Sequence, residues 1–246
     1  MSAEQVQTLD LKSYVGPSSP VERLGADWPM LHGREVLDGI PFQVDGTILF
    51  QATNALQKGL AVTTNLSDLA VGRRFERLHL LAGTDTDGPD GIVIAKIHLL
   101  YADGTDAALE LKYGEHLRCW RAAWHKDEEP LKSPDARVVW REQSSSAAQL
   151  DKYLRLFHVA LTNPAPDKEV RALSIESAQT QYGLLLFAVS IGPTAAEPLP
   201  DTVTAPHSPF PDLRPRQGEP AQGEGVVKDK NGRLLVGARI RVSETR

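Results

Sequence analysis

Residues 94–113 read IAKIHLLYADGTDAALELKY, two apolar-rich runs separated by Ala102-Asp103-Gly104. The length of the loop decides the register. A two-residue Asp103-Gly104 loop sets Ile97 opposite Glu110 and Leu99 opposite Ala108, which mixes apolar and charged side chains on one face. A three-residue loop pairs Tyr101 with Thr105, Leu99 with Ala107, Ile97 with Leu109, Ala95 with Leu111 and Val93 with Tyr113. It places all the apolar residues together. Such a loop is a type I turn followed by Gly104 in the left-handed region, where glycine has no Cβ to clash. Side chains alternate with period two along a strand, so a one-residue slip would turn the whole apolar set outward. The stretch therefore predicts a hairpin with one dry face and one wet face, with Ile97, Leu99, Leu109 and Leu111 inward.

Outward from this hairpin, residues 5–192 keep returning to short alternating runs bounded by Gly, Pro, Asp and Asn, the pattern of a β-sandwich or barrel. Strands are expected near 7–11, 39–44, 74–82, 92–101, 105–113, 136–140, 153–161, 171–177 and 182–191. Ser145 to Leu150 is the best helical candidate, a turn or so that a serine can cap. No alternation of strands with amphipathic helices occurs, which removes most cofactor-binding α/β folds. From Gly192 to Gly223 there are eight prolines in 32 residues, so 193–222 reads as an extended, semi-rigid linker. GEGVVKDKNGRLLVGARIRV (223–242) holds two short β runs around Asp229 to Gly232. A lone hairpin is marginal in water; residues 223–246 are either the opening of a second domain or a hairpin that docks on the first.

Bulk properties exclude several classes. Lys plus Arg total 27 against 32 Asp plus Glu, a net charge of −5 with no basic block, so the electrostatic footprint of a nucleic-acid binder is missing. One cysteine, Cys119, excludes an internal disulfide and a multi-cysteine metal site. MSAEQVQTLDLKSYV has no basic region followed by an apolar run, so no secretory signal is read there. The longest apolar run, Leu184 to Ile191, is far short of the ~20 residues that cross a hydrocarbon core. Membrane insertion is not expected.

Two stretches resemble known families. The order LDGIPFQV (37–44), RLHLL (77–81), AKIHLLYADG (95–104), RVVWR (137–141), LFHVALTNPAPDKEVRALSIES (156–177) and GLLLFAVSI (183–191) resembles the galactose-binding-domain-like, jelly-roll β-sandwiches of bacterial glycoside hydrolases and large surface proteins. Its most specific part, Asn163-Pro-Ala-Pro-Asp-Lys-Glu-Val170, marks topology, because the prolines stop one strand and stiffen the crossover to the next. Residues 223–242 resemble the first hairpin of carboxypeptidase-regulatory-like modules, whose remaining strands are absent here. Together the two resemblances imply an all-β part of a modular, extracytoplasmic bacterial protein.

Enzyme signatures fail one after another: HExxH, GxSxG, GxxxxGK[ST] and GxGxxG are all missing. Seven histidines (32, 79, 98, 116, 125, 158 and 207) are scattered singly, none beside a nucleophile it can serve. No acid/base pair of carboxylates can be placed in facing positions, which argues against a hydrolase. Asp85, Asp87 and Asp90 have the spacing of a calcium loop and equally the composition of any exposed turn. The richest cluster is YGEHLRCWRAAWHKDEEP (113–130). Sugars present C–H faces and hydroxyl edges, which suit aromatic rings flanked by Arg, His and carboxylates. Trp124, His125, Trp120, His116 and Arg121 are therefore the candidate glycan-binding residues. Trp120, in register with apolar neighbours, suits a core cap better than a platform; Trp124, among alanine and charges, suits either role.

The resemblance implies a non-catalytic accessory or carbohydrate-binding module, without a cofactor, that partners a glycan and the other modules of its parent. A structural spacer, or an ectodomain that engages another protein, is the alternative.

Overall fold

The structure, a computed structural model, describes residues 6–15, 31–57, 59–123, 129–142 and 152–193. These form an all-β sandwich. Its strands are β1 (Gln7–Leu9), β2 (Gly33–Leu37), β3 (Ile40–Val44), β4 (Ile48–Leu49), β5 (Asn65–Arg73), β6 (Arg77–Thr84), β7 (Val93–Tyr101), β8 (Asp106–Lys112), β9 (Arg121–Ala123), β10 (Ala136–Glu142), β11 (Lys152–Thr162), β12 (Val170–Ser177) and β13 (Leu184–Gly192), with a short α-helix, α1 (Thr53–Gln57), and a 3-10 turn at Lys12–Tyr14. The larger sheet runs β1-β13-β6-β11-β10, with β4 added to β13 and β9 to β11; the smaller runs β5-β12-β7-β8. Pairing between these strands is antiparallel throughout. The expected helix at 145–150, the linker beyond Pro193 and the hairpin at 223–246 lie outside the described residues.

The β7–β8 hairpin adopts the three-residue loop. Ala95 pairs with Leu111, Ile97 with Leu109 and Leu99 with Ala107, while Gly104 has φ +85°. The Gly104 N–H donates to the Tyr101 carbonyl at 3.0 Å, and the Tyr101 N–H to that of Thr105 at 2.9 Å. Asp103 reinforces the turn by accepting from the Thr105 N–H at 2.9 Å and its hydroxyl at 2.6 Å. Ile97, Leu99 and Leu111 are buried; Leu109 is half-buried because β8 is an edge strand. The expected Val93–Tyr113 pair does not form. A bulge between Val93 and Ala95 moves Val93 opposite Lys112, which turns both Ile94 and Ala95 into the interior.

The larger sheet is covered on both faces. Leu78, Leu80, Phe157, Val159, Leu186 and Val189 meet the smaller sheet's Ile97, Leu99, Leu173 and Ile175 in one core. On the opposite face Leu81, Leu154, Leu156, Leu185 and Phe187 form a second core with Ile40, Phe42 and Val44 of β3 and with Trp120. Strands buried on both faces carry continuous apolar runs instead of alternating ones. That is why LLLFAVSI in β13 is apolar almost throughout. The covering hairpin turns through Asp38-Gly39, with φ +54° and +72°, the two left-handed residues a two-residue type I′ turn requires. Its turn is tied down by a short bond between Asp38 Oδ2 and His158 Nδ1 at 2.6 Å, and the Ser190 hydroxyl donates to the Pro41 carbonyl at 2.7 Å.

Asn163, at the head of the proline motif, explains why that motif marks topology. The side chain is buried: its Oδ1 accepts from the Tyr101 hydroxyl at 2.7 Å and the Ala165 N–H at 3.0 Å, and its Nδ2 donates to the Phe75 carbonyl at 2.9 Å. One amide thus joins the end of β7, the β5–β6 connection and the crossover to β12. Asn163→Ala leaves these buried partners unsatisfied and is expected to cost about 1–3 kcal/mol, read as a lower urea midpoint with an unchanged slope. An unaltered midpoint would show that water replaces the amide without penalty.

Candidate functional site: a charged cleft at one end of the sandwich

The segment after β8 does not return to the smaller sheet. Tyr113 and Leu117 bracket a tight turn, and the chain crosses the end of β6, where the Trp120 N–H donates to the Thr84 carbonyl and the Thr84 N–H to the Arg118 carbonyl, both at 3.1 Å. Gly83 allows this crossing, since a Cβ there would stand 3.0 Å from that of Trp120. The chain then enters β9, which pairs with the start of β11: Arg121 opposite Leu154, Ala122 opposite Tyr153 and Ala123 opposite Lys152. The β6–β7 loop, carrying Asp85, Asp87 and Asp90, lies alongside. The two stretches read separately in the sequence, one as a calcium loop and one as a sugar site, are walls of one cleft of about 370 Å³.

One wall is a tightly bonded charge cluster. Arg118 is 7% exposed at its side chain and reaches Asp90 through two bonds of 2.9 and 3.3 Å and Glu129 at 2.9 Å. Lys132 adds a second cation to Asp90 at 3.1 Å. Hydrogen bonds from Arg118 and then Lys132 hold the Asp90 carboxyl below the usual carboxylate range. The Arg118 guanidinium also lies 5.5 Å from the centre of the Tyr113 ring. The Tyr113 hydroxyl donates to Asp87 at 3.0 Å, and burial followed by that carboxylate pushes its pKa up. Gly114 is confined to glycine twice over: its φ is +76°, and a Cβ would overlap the Asp90 carboxylate.

The other wall belongs to β9 and β11. Arg121 donates to the Asp85 backbone carbonyl at 3.1 Å, Arg155 donates its Nε to the Cys119 carbonyl at 3.0 Å, and Lys152 lies at the strand's start; all three line the cleft. Asp85 accepts from the Gly183 N–H at 2.7 Å, Asp87 from Tyr113 and Asp90 from Arg118, so the three carboxylates serve three different partners. Among the described residues no group of three or more His, Cys, Asp or Glu side chains is arranged to hold an ion.

The sequence candidates separate. Arg121 lines the cleft. Trp120 is fully buried in the second core. His116 folds back into its own turn, where its Nδ1 accepts from the Lys112 N–H at 3.0 Å, and burial lowers its pKa. Trp124 and His125 lie outside the described residues. Arg118 and Arg155 are not among the sequence candidates, and Asp90 enters there only through the calcium-loop spacing, because what unites the three is the return of the chain across β6, which no local pattern announces. Cys119 is buried, and burial raises its thiol pKa, leaving little of the reactive thiolate.

A scan against models of known protein families finds no match, and no curated protein matches the chain. Among the described residues no helix is long and apolar enough to cross a membrane.

Proposed function

We propose that this sandwich is a non-catalytic module of the galactose-binding-like, jelly-roll kind, and that it holds a saccharide in the cleft between the β6–β7 loop and β9. The observation that carries this reading is the cleft itself: fixed guanidinium groups and carboxylates at the end of a rigid two-core scaffold. Planar forks of donors beside carboxylate acceptors match the paired hydroxyls of a pyranose edge. A non-catalytic role is supported by the acid–base chemistry of the lining. A general acid needs a carboxyl whose pKa is raised, whereas Asp90 is held low by two cations. The resemblance to modular surface proteins favours an extracytoplasmic setting, with neighbouring modules of a larger chain as further partners.

Glycan-array binding by the full chain, with and without EDTA, tests this proposal when repeated with Ala122→Phe. Ala122 lines the cleft, so a ring there fills it whatever the ligand. Binding that is insensitive to EDTA and falls at least tenfold in a variant with an unchanged melting temperature is the expected result. A blank array would favour the spacer or protein-contact role. Binding unchanged by the blocking ring would place the ligand on another surface.

A further inference from the structure

We infer that the saccharide this cleft selects carries a carboxylate, as a uronic acid does, recognised by Arg121 and Lys152. The inference rests on the saccharide reading above and goes further by naming the ligand's charge. The two walls of the cleft are electrostatically unequal. On one, Arg118 is shared by Asp90 and Glu129, Asp90 takes a second cation from Lys132, and Asp87 is bonded by the Tyr113 hydroxyl; every cation described on that wall already has a carboxylate. On the other, Arg121 bonds, among the described residues, only the neutral backbone carbonyl of Asp85. Its Nε is buried with no hydrogen-bond partner.

Lys152, on the strand paired with β9, likewise has no carboxylate within ion-pair distance among the described residues. Both residues line the cleft, on two strands that pair side by side. The lining sets four cations, Arg118, Arg121, Lys152 and Arg155, against three carboxylates, Asp87, Asp90 and Glu129, so in a chain of net charge −5 the described cleft carries one cation in excess. A guanidinium offers parallel N–H donors that match a carboxylate, and an ammonium adds a point charge beside it.

Calorimetric titration of the full chain with a trigalacturonate, and with the same trisaccharide as its methyl ester, isolates the charge on an otherwise identical ring. The acid should bind at least tenfold more tightly than the ester and weaken as salt is raised. Arg121→Met and Lys152→Gln should each bring the acid-to-ester affinity ratio close to one, a readout that a general loss of saccharide affinity would not move. Equal affinity for acid and ester would overturn the inference and leave the saccharide reading intact. So would array binding of neutral glycans, blocked by Ala122→Phe, with no affinity for the acid. Sodium sulfate that binds as tightly as the trisaccharide would show recognition of a bare oxyanion and would also overturn it. A blank array together with no heat from either trisaccharide would remove both readings.

Discussion

Trp120→Ala is expected to lower the unfolding free energy by about 3–5 kcal/mol, the cost of emptying a large aromatic site in a packed core. Trp120 is fully buried, within the second core that β3 closes over the larger sheet. Its backbone also links three elements, donating to Thr84 at 3.1 Å and accepting from the Arg155 N–H at 2.7 Å. A cavity there removes core packing next to Arg121, the neighbouring residue that lines the cleft. Urea unfolding should show a large fall in midpoint, and Trp140→Ala, whose ring is only half-buried against the same cluster, should show a smaller one. A Trp120→Ala protein of near-native stability would contradict the packing described for that face.

Acid should destabilise the fold through His79. This side chain is buried in the larger sheet, its Nδ1 3.0 Å from Nε2 of His158, which in turn bonds Asp38 of the covering hairpin. Burial first, and the neighbouring His158 second, lower the His79 pKa from 6.5 to about 4; Arg77 acts in the same direction, while the Pro193 carbonyl and Asp38 oppose it. The folded state therefore takes up its proton at lower pH than the unfolded chain does. The stabilisation is complete above pH 6.5 and is lost progressively as pH falls towards 4, the loss by then amounting to about 3 kcal/mol. Unfolding free energies measured at intervals from pH 7.5 to 4 should decline across that window. In His79→Gln, which keeps a hydrogen-bonding group and does not titrate, the decline should shrink by most of that amount. An equal decline in both proteins would assign the acid sensitivity to other groups.

Where a segment alternates cleanly, its structure was legible. The β7–β8 register follows from Ile97, Leu99, Leu109 and Leu111 together with one glycine, because a half-buried hairpin has a unique pairing that keeps its apolar side dry. β5 was not anticipated, and its sequence shows why. Leu66, Leu69 and Val71 are its buried residues, a spacing of three and then two, because Asp68 adopts φ +56° and shifts the phase of the strand. β2 left a usable signal in Asp38-Gly39, a dipeptide suited to a tight hairpin. That signal lies between Val36, which is exposed, and Ile40, which is buried, so alternation alone did not extend across it.

The cleft divides in the same way. Its chemistry was visible as residue types: the density of Arg, aromatic and acidic side chains between 113 and 130, and the carboxylates of 85–90. Its assembly was not, since bringing Asp90 against Arg118 and Arg121 beside Lys152 depends on a crossing over β6 and on the β9–β11 pairing. Trp120 looked from composition like a sugar platform and from register like a core residue. Its register proved the better guide, because the strand it precedes packs on a sheet that is covered on both faces.

The most direct test of saccharide binding in the cleft is an amide-resolved NMR titration of the full chain, run separately with trigalacturonate and with neutral galactotriose. Saturable shifts should cluster at Gly88, Asp90, Arg118, Arg121 and Ala122. Amides on the outer face of the smaller sheet, such as His98 and Glu176, whose side chains pair at 3.7 Å in solvent, should remain in place. Shifts concentrated on that outer face, or none with either sugar alongside a blank glycan array, would contradict the account.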